Sequence, residues 1–304
     1  MNIIKRRKIW YFISILFALL SVISLLVGGL KLGLDFTGGS FLEIKKIEES
    51  TSKVEETLKK DGFDVISVQD SGEAIKIRTE VLDEDGHKEI INSLESISES
   101  EEIKEVQFNT IGATVSRDIT TKAYMAIGLG LITVILYVAY SFRKSSRHFD
   151  SWKYGVCAVL AVFHDVLFVV GTFSILGILK GVEIDSLFVT ALLTIISFSV
   201  HDTIVIFDRI RENLKKSDEN FGNVINNSLV EMFARSLNTS LVIVLVVFSL
   251  LILGGESIRY FMLALFLGML VGTYSSVFVA VPLLVTWKKW DEKKSQIDSK
   301  TKIS

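Results

Sequence analysis

The chain has 304 residues, of which 49% are hydrophobic, and its formal net charge at pH 7 is −2. Its mean hydropathy of +0.45 is too high for an ordinary soluble globular protein. Its apolar residues are also clustered in long runs instead of being spaced along amphipathic elements, which is typical of membrane helices. The single cysteine, Cys157, excludes an intramolecular disulfide framework and a cysteine metal site.

Six apolar runs are long enough to cross a membrane as helices. They cover residues 9–30, 124–142, 154–179, 187–207, 236–253 and 258–287. The first run follows basic residues in the manner of a signal peptide, but it lacks a clear small-x-small cleavage site. We therefore interpret it as an uncleaved first helix, and the whole pattern as one helix, a hydrophilic segment and five further helices.

The positions of Lys and Arg predict how these helices are oriented. If six spans are correct, four basic clusters share one side of the membrane: residues 5–8, 143–147, 209–216 and 288–294. The opposite connections, 180–186 and 254–257, are short and nearly free of basic residues. We therefore expect both termini in the cytoplasm and the hydrophilic segment on the outer side.

The hydrophilic segment, residues 31–117, contains 20 Asp/Glu and 11 Lys/Arg, a net charge of −9. Its alternating and amphipathic patterns predict strands at 41–47, 65–68, 74–79 and 103–108, a turn at 70–72, and helices at 52–60 and 87–97. This β-α-β-β-α-β order is typical of a ferredoxin-like α+β domain. The predicted domains are helix one (1–30), the exported domain (31–117), helices two to six (118–290) and a cytoplasmic tail (291–304).

The fourth apolar run carries the most unusual residues of the chain, His201 and Asp202. A carboxylate near the centre of a membrane helix costs about 2.5 to 3.5 kcal/mol on insertion scales, so such a residue is a functional candidate. Its best candidate counter-charge is Arg235, at the start of helix five, and Asn238 and Thr239 share the face of Arg235. A pair of this kind would respond to protons, because protonation of the carboxylate would break it. Polar residues on helix four are expected to face other helices: Thr194, Ser199, His201, Asp202, Thr203, Asp208 and Arg209.

Two further readings of these residues stay open. In the first, Asp202 and Arg235 form an ion pair that only holds two helices together. In the second, Arg235 is an ordinary basic residue whose side chain reaches the membrane–water interface. On helix three, His164 and Asp165 repeat the His-Asp dipeptide of helix four. Two such dipeptides on successive helices would suit a relay of titratable groups. We interpret the histidines instead as capping or packing residues and keep Asp165 as a second functional candidate. A two-histidine metal site is disfavoured, because adjacent side chains on a helix diverge by about 100°.

Two glycine motifs favour structural roles. Gly268 and Gly272 form GxxxG in helix six, which indicates close helix packing. The stretch LDFTGGS contains Asp35, Gly38 and Gly39 and suits a tight turn into the first strand. No nucleotide-binding loop and no hydrolase triad signature occurs in the sequence, so we expect neither an enzyme, a cofactor, a metal nor a nucleic-acid partner.

Three stretches resemble the SecF family of the bacterial Sec protein-export machinery, whose members are related to the RND transporters. They are LDFTGGS at 34–40, HDV at 164–166 and HDTIVIFDRIREN at 201–213, which includes Asp208, Arg209 and Arg211; ARSLNTS at 234–240 is similar to the family's helix-five segment. His201 departs from the family, in which many members have Asn at this position.

The resemblance implies a multi-pass protein of the bacterial inner membrane that pairs with a SecD-like six-helix chain. It also implies that the protein acts beside the SecYEG channel with SecA and a YidC-like accessory. There it would use the proton-motive force to pull unfolded polypeptides outward. The family's proton-linked residues fall on Asp202 and Arg235. Two alternatives remain: a half-size RND-like transporter of lipid or drug, and an assembly subunit without a proton role.

Overall fold

The computed structural model describes residues 3–47, 49–70, 72, 74–98, 103–142, 151–217 and 219–301. The basic cluster at 143–147 and residue 71 of the predicted turn lie outside these residues. In chain order the elements are α1 Arg7–Gly28, α2 Leu34–Thr37, β1 Gly39–Lys45, α3 Thr51–Lys60, β2 Val65–Asp70, β3 Ala74–Thr79, α4 Glu84–Ile97, β4 Glu105–Ile111, α5 Ala113–Ser141, α6 Ser151–Lys180, α7 Ser186–Lys216, α8 Phe221–Leu253, α9 Glu256–Ser275, a π-helical turn Ser276–Ala280 and α10 Val281–Thr301.

Six helices among the described residues are long and apolar enough to cross a membrane, as predicted from the six runs. These spans are Arg7–Gly28, Ala113–Ser141, Trp152–Lys180, Ser186–Lys216, Phe221–Leu253 and Glu256–Lys294. Two of them begin well before the predicted runs, at Ala113 and at Phe221. In α8 the added turns bury Val224, Ile225 and Leu229, so this part of the helix is amphipathic and escapes a test for continuous apolar sequence.

The chain divides into two compact units, which are Met1–Lys31 with Met125–Ser304, and Leu32–Tyr124. The first unit contains the membrane helices, and we call it the membrane unit. Its centre is formed by α6, α7 and α9, since α7 packs on both α6 and α9 and α6 also packs on α9. The first unit's core includes Ile196, Val200 and Phe207 of α7, which are at most 4% exposed.

The GxxxG glycines lie at the contact between α7 and α9. A Cβ atom added to Gly268 would stand 2.3 Å from two side-chain atoms of Ile195, and one added to Gly272 would stand 3.4 Å from Cβ of Ser199. Gly268 therefore allows the two helices to approach more closely than any larger residue would permit. This confirms the predicted packing role of the motif.

The expectation that the polar stripe of α7 faces other helices is only partly correct for this chain. Ser199 and Thr203 are fully buried, whereas Thr194, His201 and Asp208 are exposed. The helix turns its apolar residues and its small hydroxyls toward the core, because a hydroxyl can be satisfied there by one neighbour. Thr194, His201 and Asp208 therefore lie on the outside of the membrane unit, whereas Asp202 is half-buried.

The second unit, Leu32–Tyr124, contains one four-stranded antiparallel sheet with the strand order β2-β3-β1-β4. Its elements follow the predicted order of strand, helix, strand, strand, helix and strand. Alternate residues of β1 and β3 point to one face, where Leu42, Ile44, Ile75 and Ile77 are at most 2% exposed. The core is completed by apolar residues of α3 and α4: Val54, Leu58, Ile90 and Leu94.

Candidate intramembrane carboxylate site

Asp202 lies half-buried on α7 and is held by a serine of the next helix. The hydroxyl of Ser236 on α8 lies 2.7 Å from Oδ1 and 2.8 Å from Oδ2 of Asp202. Ser236 is only 5% exposed, so this contact belongs to the packed surface between α7 and α8. A hydroxyl can donate to an ionised carboxylate and can accept from a protonated one, so this contact is compatible with both states of Asp202.

The predicted ion pair between Asp202 and Arg235 is absent from the described residues. Arg235 is exposed, and Ser236 takes the place that was expected for it. Consecutive residues on an α-helix point about 100° apart, so when Ser236 faces α7 its neighbour Arg235 faces away. The pairing expectation is therefore wrong for the conformation of this chain, although the proposed roles of both residues in proton transfer remain untested by it.

Asn238 and Thr239, which were expected to share the face of Arg235, and the polar candidate His201 form no hydrogen bond with Asp202 among the described residues. Asn238, Thr239 and His201 are exposed, and the hydroxyl of Thr239 donates to the carbonyl of Arg235 at 3.0 Å within the same helix. That bond satisfies the hydroxyl locally, as threonine commonly does in a helix. None of these three residues contacts Asp202 in the part of the chain that the structure describes.

A second carboxylate, Asp165 on α6, is completely buried and has three hydrogen-bond partners. The hydroxyls of Ser199 on α7 and Ser275 on α9 both donate to its Oδ2, each at 2.6 Å. The ring Nδ1 of His164 lies 3.0 Å from its Oδ1. Asp165 therefore joins the three central helices at one point, a role that the sequence indicated only as a secondary possibility.

Thr203, another predicted polar candidate, is bound to the π-helical turn that follows α9. Its hydroxyl lies 2.8 Å from that of Ser276, and both residues are fully buried. Ser275 and Ser276 are neighbours in sequence, yet the first binds α6 and the second binds α7. A π-helical turn inside a long helix is rare and is frequently found at functional sites.

One ion pair links α7 to α8 near Asp208, and others lie within α7. Arg209 binds both Glu212 of its own helix, at 2.6 Å, and Glu231 of α8. Arg211 binds Asp208 at 2.5 Å. The predicted motif residues Asp208, Arg209 and Arg211 are therefore joined in side-chain pairs, and Glu231 is a partner that the sequence did not single out.

The glycines of LDFTGGS have backbone conformations that other residues rarely adopt. Gly38 has a φ angle of 71° and Gly39 one of 105°. A Cβ atom on Gly39 would stand only 2.5 Å from the carbonyl oxygen of Thr79 on β3. The preceding residues, Leu34–Thr37, form a single helical turn instead of a simple turn, and Asp35 lies within it.

Sequence reasoning missed Ser236, Ser275 and Ser276 as binding partners, and it expected Ser199 only to face other helices. Ser199, Ser236, Ser275 and Ser276 are each at most 5% exposed, and each binds a side chain of another helix. Their signal was weak, because a serine in an apolar run is compatible with lipid. Among the described residues no group of three or more His, Cys, Asp or Glu side chains is placed to hold a metal ion.

Comparison with known proteins connects this geometry to a family. A family model described as protein export membrane protein SecD/SecF, C-terminal, matches residues 90–290, and a SecD/SecF GG motif model matches residues 23–45. This chain belongs to the SecD/SecF family. The first match contains α5 to α9 with both carboxylates, and the second contains Gly38 and Gly39.

Relatives and solved structures within the SecD/SecF family agree. The protein translocase subunit SecF of Thermobaculum terrenum is 40% identical, with 95% of each chain covered. The protein translocase subunit SecDF of Bacillus subtilis is 33% identical over 95% of this chain but only 38% of its own length. A crystal structure of SecDF from Thermus thermophilus, titled a translocon-associated membrane protein, matches 95% of this chain at a TM-score of 0.80 and 30% identity, and this chain spans 39% of it.

Proposed function

We propose that this chain is a membrane subunit of a protein-export machinery and that it uses the proton-motive force to assist outward movement of polypeptides. The relatives are named as protein translocase subunits, which favours this function over a half-size transporter of lipid or drug. In this proposal the partner is a SecD-like six-helix chain, and the pair works in the bacterial inner membrane beside SecYEG, SecA and a YidC-like accessory. The energy source is the proton gradient, so neither a cofactor nor hydrolase activity of its own is part of the proposal.

The observation that carries the proposal is the contact between Asp202 and Ser236 across α7 and α8. When Asp202 is ionised it accepts a hydrogen bond from Ser236, and when it is protonated its own hydroxyl becomes a donor. The direction of the bond would then reverse, and the attraction between an ionised group and its neighbour would be lost. A change of this kind at a helix–helix contact is a two-state element that a proton can bias.

The energy available to such an element is sufficient to move helices. One charge that crosses a membrane potential of 100 mV releases about 2.3 kcal/mol. A few protons per cycle would therefore supply several kcal/mol, which exceeds the differences that separate alternative packings of helices.

Arg235 enters the proposal as a residue that acts toward a partner chain. It is exposed on the membrane unit and has no ion pair among the described residues. A cation exposed on a membrane helix is costly unless a carboxylate, a polar cavity or the interface receives it. A carboxylate on the SecD-like subunit would provide that partner and would link the proton sites of the two chains.

The unit Leu32–Tyr124 is proposed to be the exported, ferredoxin-like domain that meets emerging polypeptide. Its strand–helix order and its antiparallel strand order support the ferredoxin-like assignment. The lack of basic clusters at its ends in the sequence supports the outer location, by the rule that Lys and Arg collect on the cytoplasmic side. Both termini are then cytoplasmic.

The experiment measures export into inverted membrane vesicles with and without a proton gradient, with the SecD-like partner present. Asp202→Asn keeps the hydrogen bond to Ser236 but cannot ionise, so we expect normal assembly and loss of the gradient-dependent increment. Asp208→Asn is the matched control, because Asp208 lies on the same helix but is exposed and paired with Arg211. It should retain the increment.

The same experiment separates the proposal from an assembly subunit without a proton role. If Asp202→Asn assembles with its partner and keeps the full gradient-dependent increment, then Asp202 is a structural contact and the proton proposal is wrong. Arg235→Met is expected to resemble Asp202→Asn in this assay, because it removes the proposed link to the partner chain.

A further inference from the structure

Asp165 and His164 form a buried polar group that the proposed function does not use. The Asp165 carboxylate is fully buried and receives both serine hydroxyls on one oxygen, Oδ2, which leaves Oδ1 to His164 alone. A fixed ion in this position would be expensive without a cation beside it, whereas a carboxyl group that can take up a proton would not. The geometry therefore leaves Oδ1, beside His164, as the oxygen that is free of serine donors.

His164 supplies the second observation. With Nδ1 donating to Oδ1 of Asp165, the other ring nitrogen, Nε2, is a hydrogen-bond acceptor. Nε2 is buried and has no partner in the described part of the chain, and the His164 side chain is only 10% exposed. Because Nε2 has no hydrogen-bond partner among the described residues, the imidazole can accept a proton there and release the proton on Nδ1 to Asp165.

The helices around α6 contribute no competing charge at this point. On α1, Tyr11 is bound to Thr286. On α7, the titratable groups nearest Ser199 are His201, which is exposed, and Asp202, which is bound to Ser236, and the others begin only at Asp208. On α9, the ring of Tyr274 lies 6.5 Å, centroid to centroid, from that of His164, and its hydroxyl is bound to Ser14 and to the carbonyl of Trp10. At the end of α6, Lys153 is paired with Asp291 of α10. Among the described residues His164 is the only titratable side chain within hydrogen-bonding distance of Asp165.

We propose that Asp165 is a second proton-binding carboxylate of the membrane unit and that His164 loads it. A proton binds Nε2 of His164, the proton on Nδ1 moves to Oδ1 of Asp165, and His164 is left neutral with its proton on the other nitrogen. One proton is taken up: an N–H bond forms at Nε2, the N–H bond at Nδ1 breaks and an O–H bond forms at Oδ1, and no electrons are transferred. This inference rests on the proposed function, because it adds a second site to the same proton-driven subunit.

Two serines that are neighbours in sequence bind the two helices that carry the carboxylates. Ser275 binds Asp165 of α6, while Ser276 binds Thr203 of α7, the residue that follows Asp202. Both serine hydroxyls lie near the carbonyl oxygen of Gly272, at 3.2 Å and 2.9 Å. A carbonyl accepts but cannot pass on a proton, so these hydroxyls do not connect the two sites in this conformation of the described residues.

The test is infrared difference spectroscopy of the full chain with its SecD-like partner in lipid vesicles, recorded during a pH change. Protonated carboxyl groups give a C=O band that carboxylates lack. We expect Asp202→Asn to retain such a band and the double variant with Asp165→Asn to lose it. If the band of Asp202→Asn is unchanged when Asp165→Asn is added, Asp165 does not bind a proton and the inference is wrong.

Two further variants keep the inference testable if Asp165→Asn fails to assemble. Ser199→Ala combined with Ser275→Ala removes both donors to Oδ2, which should shift the Asp165 band to higher frequency; an unmoved band would overturn the assignment. Ser174→Ala is the matched control, since this buried α6 serine is bound to Ser24 instead.

His164→Gln should slow the appearance of the Asp165 band after a pH jump and leave the Asp202 band unaffected, and equal kinetics would exclude His164 as the loading group.

These outcomes separate the inference from the proposed function. If the infrared band is not due to Asp165, the result of the export assay on Asp202→Asn still stands. Conversely, full gradient-dependent export by Asp202→Asn would remove the proposed function while the infrared assignment of Asp165 could still stand.

Discussion

At the scale of single residues, the membrane unit satisfies its buried charges with hydroxyl groups. Asp202 and Asp165 are both acids within membrane helices, and serines donate to both. A serine is small enough to lie in a close helix contact, and its hydroxyl remains a partner after the carboxylate gains a proton. An arginine partner would lose its attraction at that moment, so hydroxyls suit acids that change their protonation state.

Gly39 gives a prediction at this scale. Gly39→Ala should destabilise the unit Leu32–Tyr124, because the residue has a φ angle of 105° and its new Cβ would stand 2.5 Å from the carbonyl oxygen of Thr79. The matched control is Gly62→Ala, which shares the positive φ angle, 93°, but has no atom within 4 Å of its Cβ. We expect a loss of about 1 to 2 kcal/mol for Gly62→Ala and clearly more for Gly39→Ala.

The measurement is urea unfolding of the segment 32–124, followed by circular dichroism. Equal losses for the two variants would mean that the backbone conformation alone explains Gly39, and that the close approach to β3 is relieved by a shift of the strand.

Residue-level prediction from sequence succeeded where a residue is out of place and failed where it is ordinary. Asp202 and Asp165 were found because a carboxylate in an apolar run is anomalous. Ser236 and Ser275 were missed, since serine is tolerated in such runs and gives no signal. Arg235 was assigned to Asp202 by similar depth, but depth does not fix the direction in which a side chain points around its helix, and that direction is set by packing.

At the scale of helices, the close contact between α7 and α9 is made possible by glycine, and it brings together the two serines that bind Asp165. Gly268 lies against Ile195, and one turn later Gly272 lies against Ser199, which binds Asp165. The distance between these helices therefore determines whether Ser199 and Ser275 reach the same carboxylate oxygen.

Gly268→Leu should separate α9 from α7 and destabilise the membrane unit by about 1 to 3 kcal/mol, the usual cost of overpacking. The measurement is thermal unfolding in mild detergent. Gly128→Leu on α5 is the control, since a Cβ at this helical position meets no atom within 4 Å. Gly268→Ala combined with Ile195→Ala should recover most of the stability lost by Gly268→Ala alone, and a failure to recover would place the strain elsewhere.

Helix α5 is the least buried of the six candidate spans, since only 6% of its most apolar 18-residue stretch is buried by the rest of the chain. Its apolar side chains are widely exposed, among them Tyr124, Leu129, Leu136 and Tyr140. The sequence predicted this helix from hydropathy but could not show that the chain leaves it uncovered. Coverage is a tertiary property, and it fits a proposal in which a second six-helix chain completes the assembly.

At the scale of the whole molecule, the six spans and the proposed export of the second unit together predict the topology. A cysteine placed at Asp64, which is exposed in the second unit, should react in intact cells with an impermeant thiol reagent. A cysteine placed at Lys215, which is exposed at the end of α7, should react only after the membrane is opened. The native Cys157 is fully buried, so the unaltered chain serves as the unlabelled control. Labelling at position 215 in intact cells would contradict the six-span topology.

The six spans were readable from sequence because the bilayer itself requires long apolar runs. The element order of the second unit was also readable, since a sheet covered on one face alternates apolar and polar residues. The π-helical turn at Ser276–Ala280 was not, because its single extra residue per turn leaves no periodic pattern in five residues.

Trp10 makes that π-helical turn visible by optical means. Its indole ring lies 4.2 Å, centroid to centroid, from Phe278 of the turn, and its Nε1 has no hydrogen-bond partner among the described residues. The chain has only four tryptophans, and the other three are Trp152, Trp287 and Trp290. With these replaced by phenylalanine, the remaining fluorescence would come from one emitter beside the turn. The emission colour of an indole follows the polarity around it, so a rearrangement of the turn during the proton cycle would be recorded as a change of colour, in real time and without an attached dye.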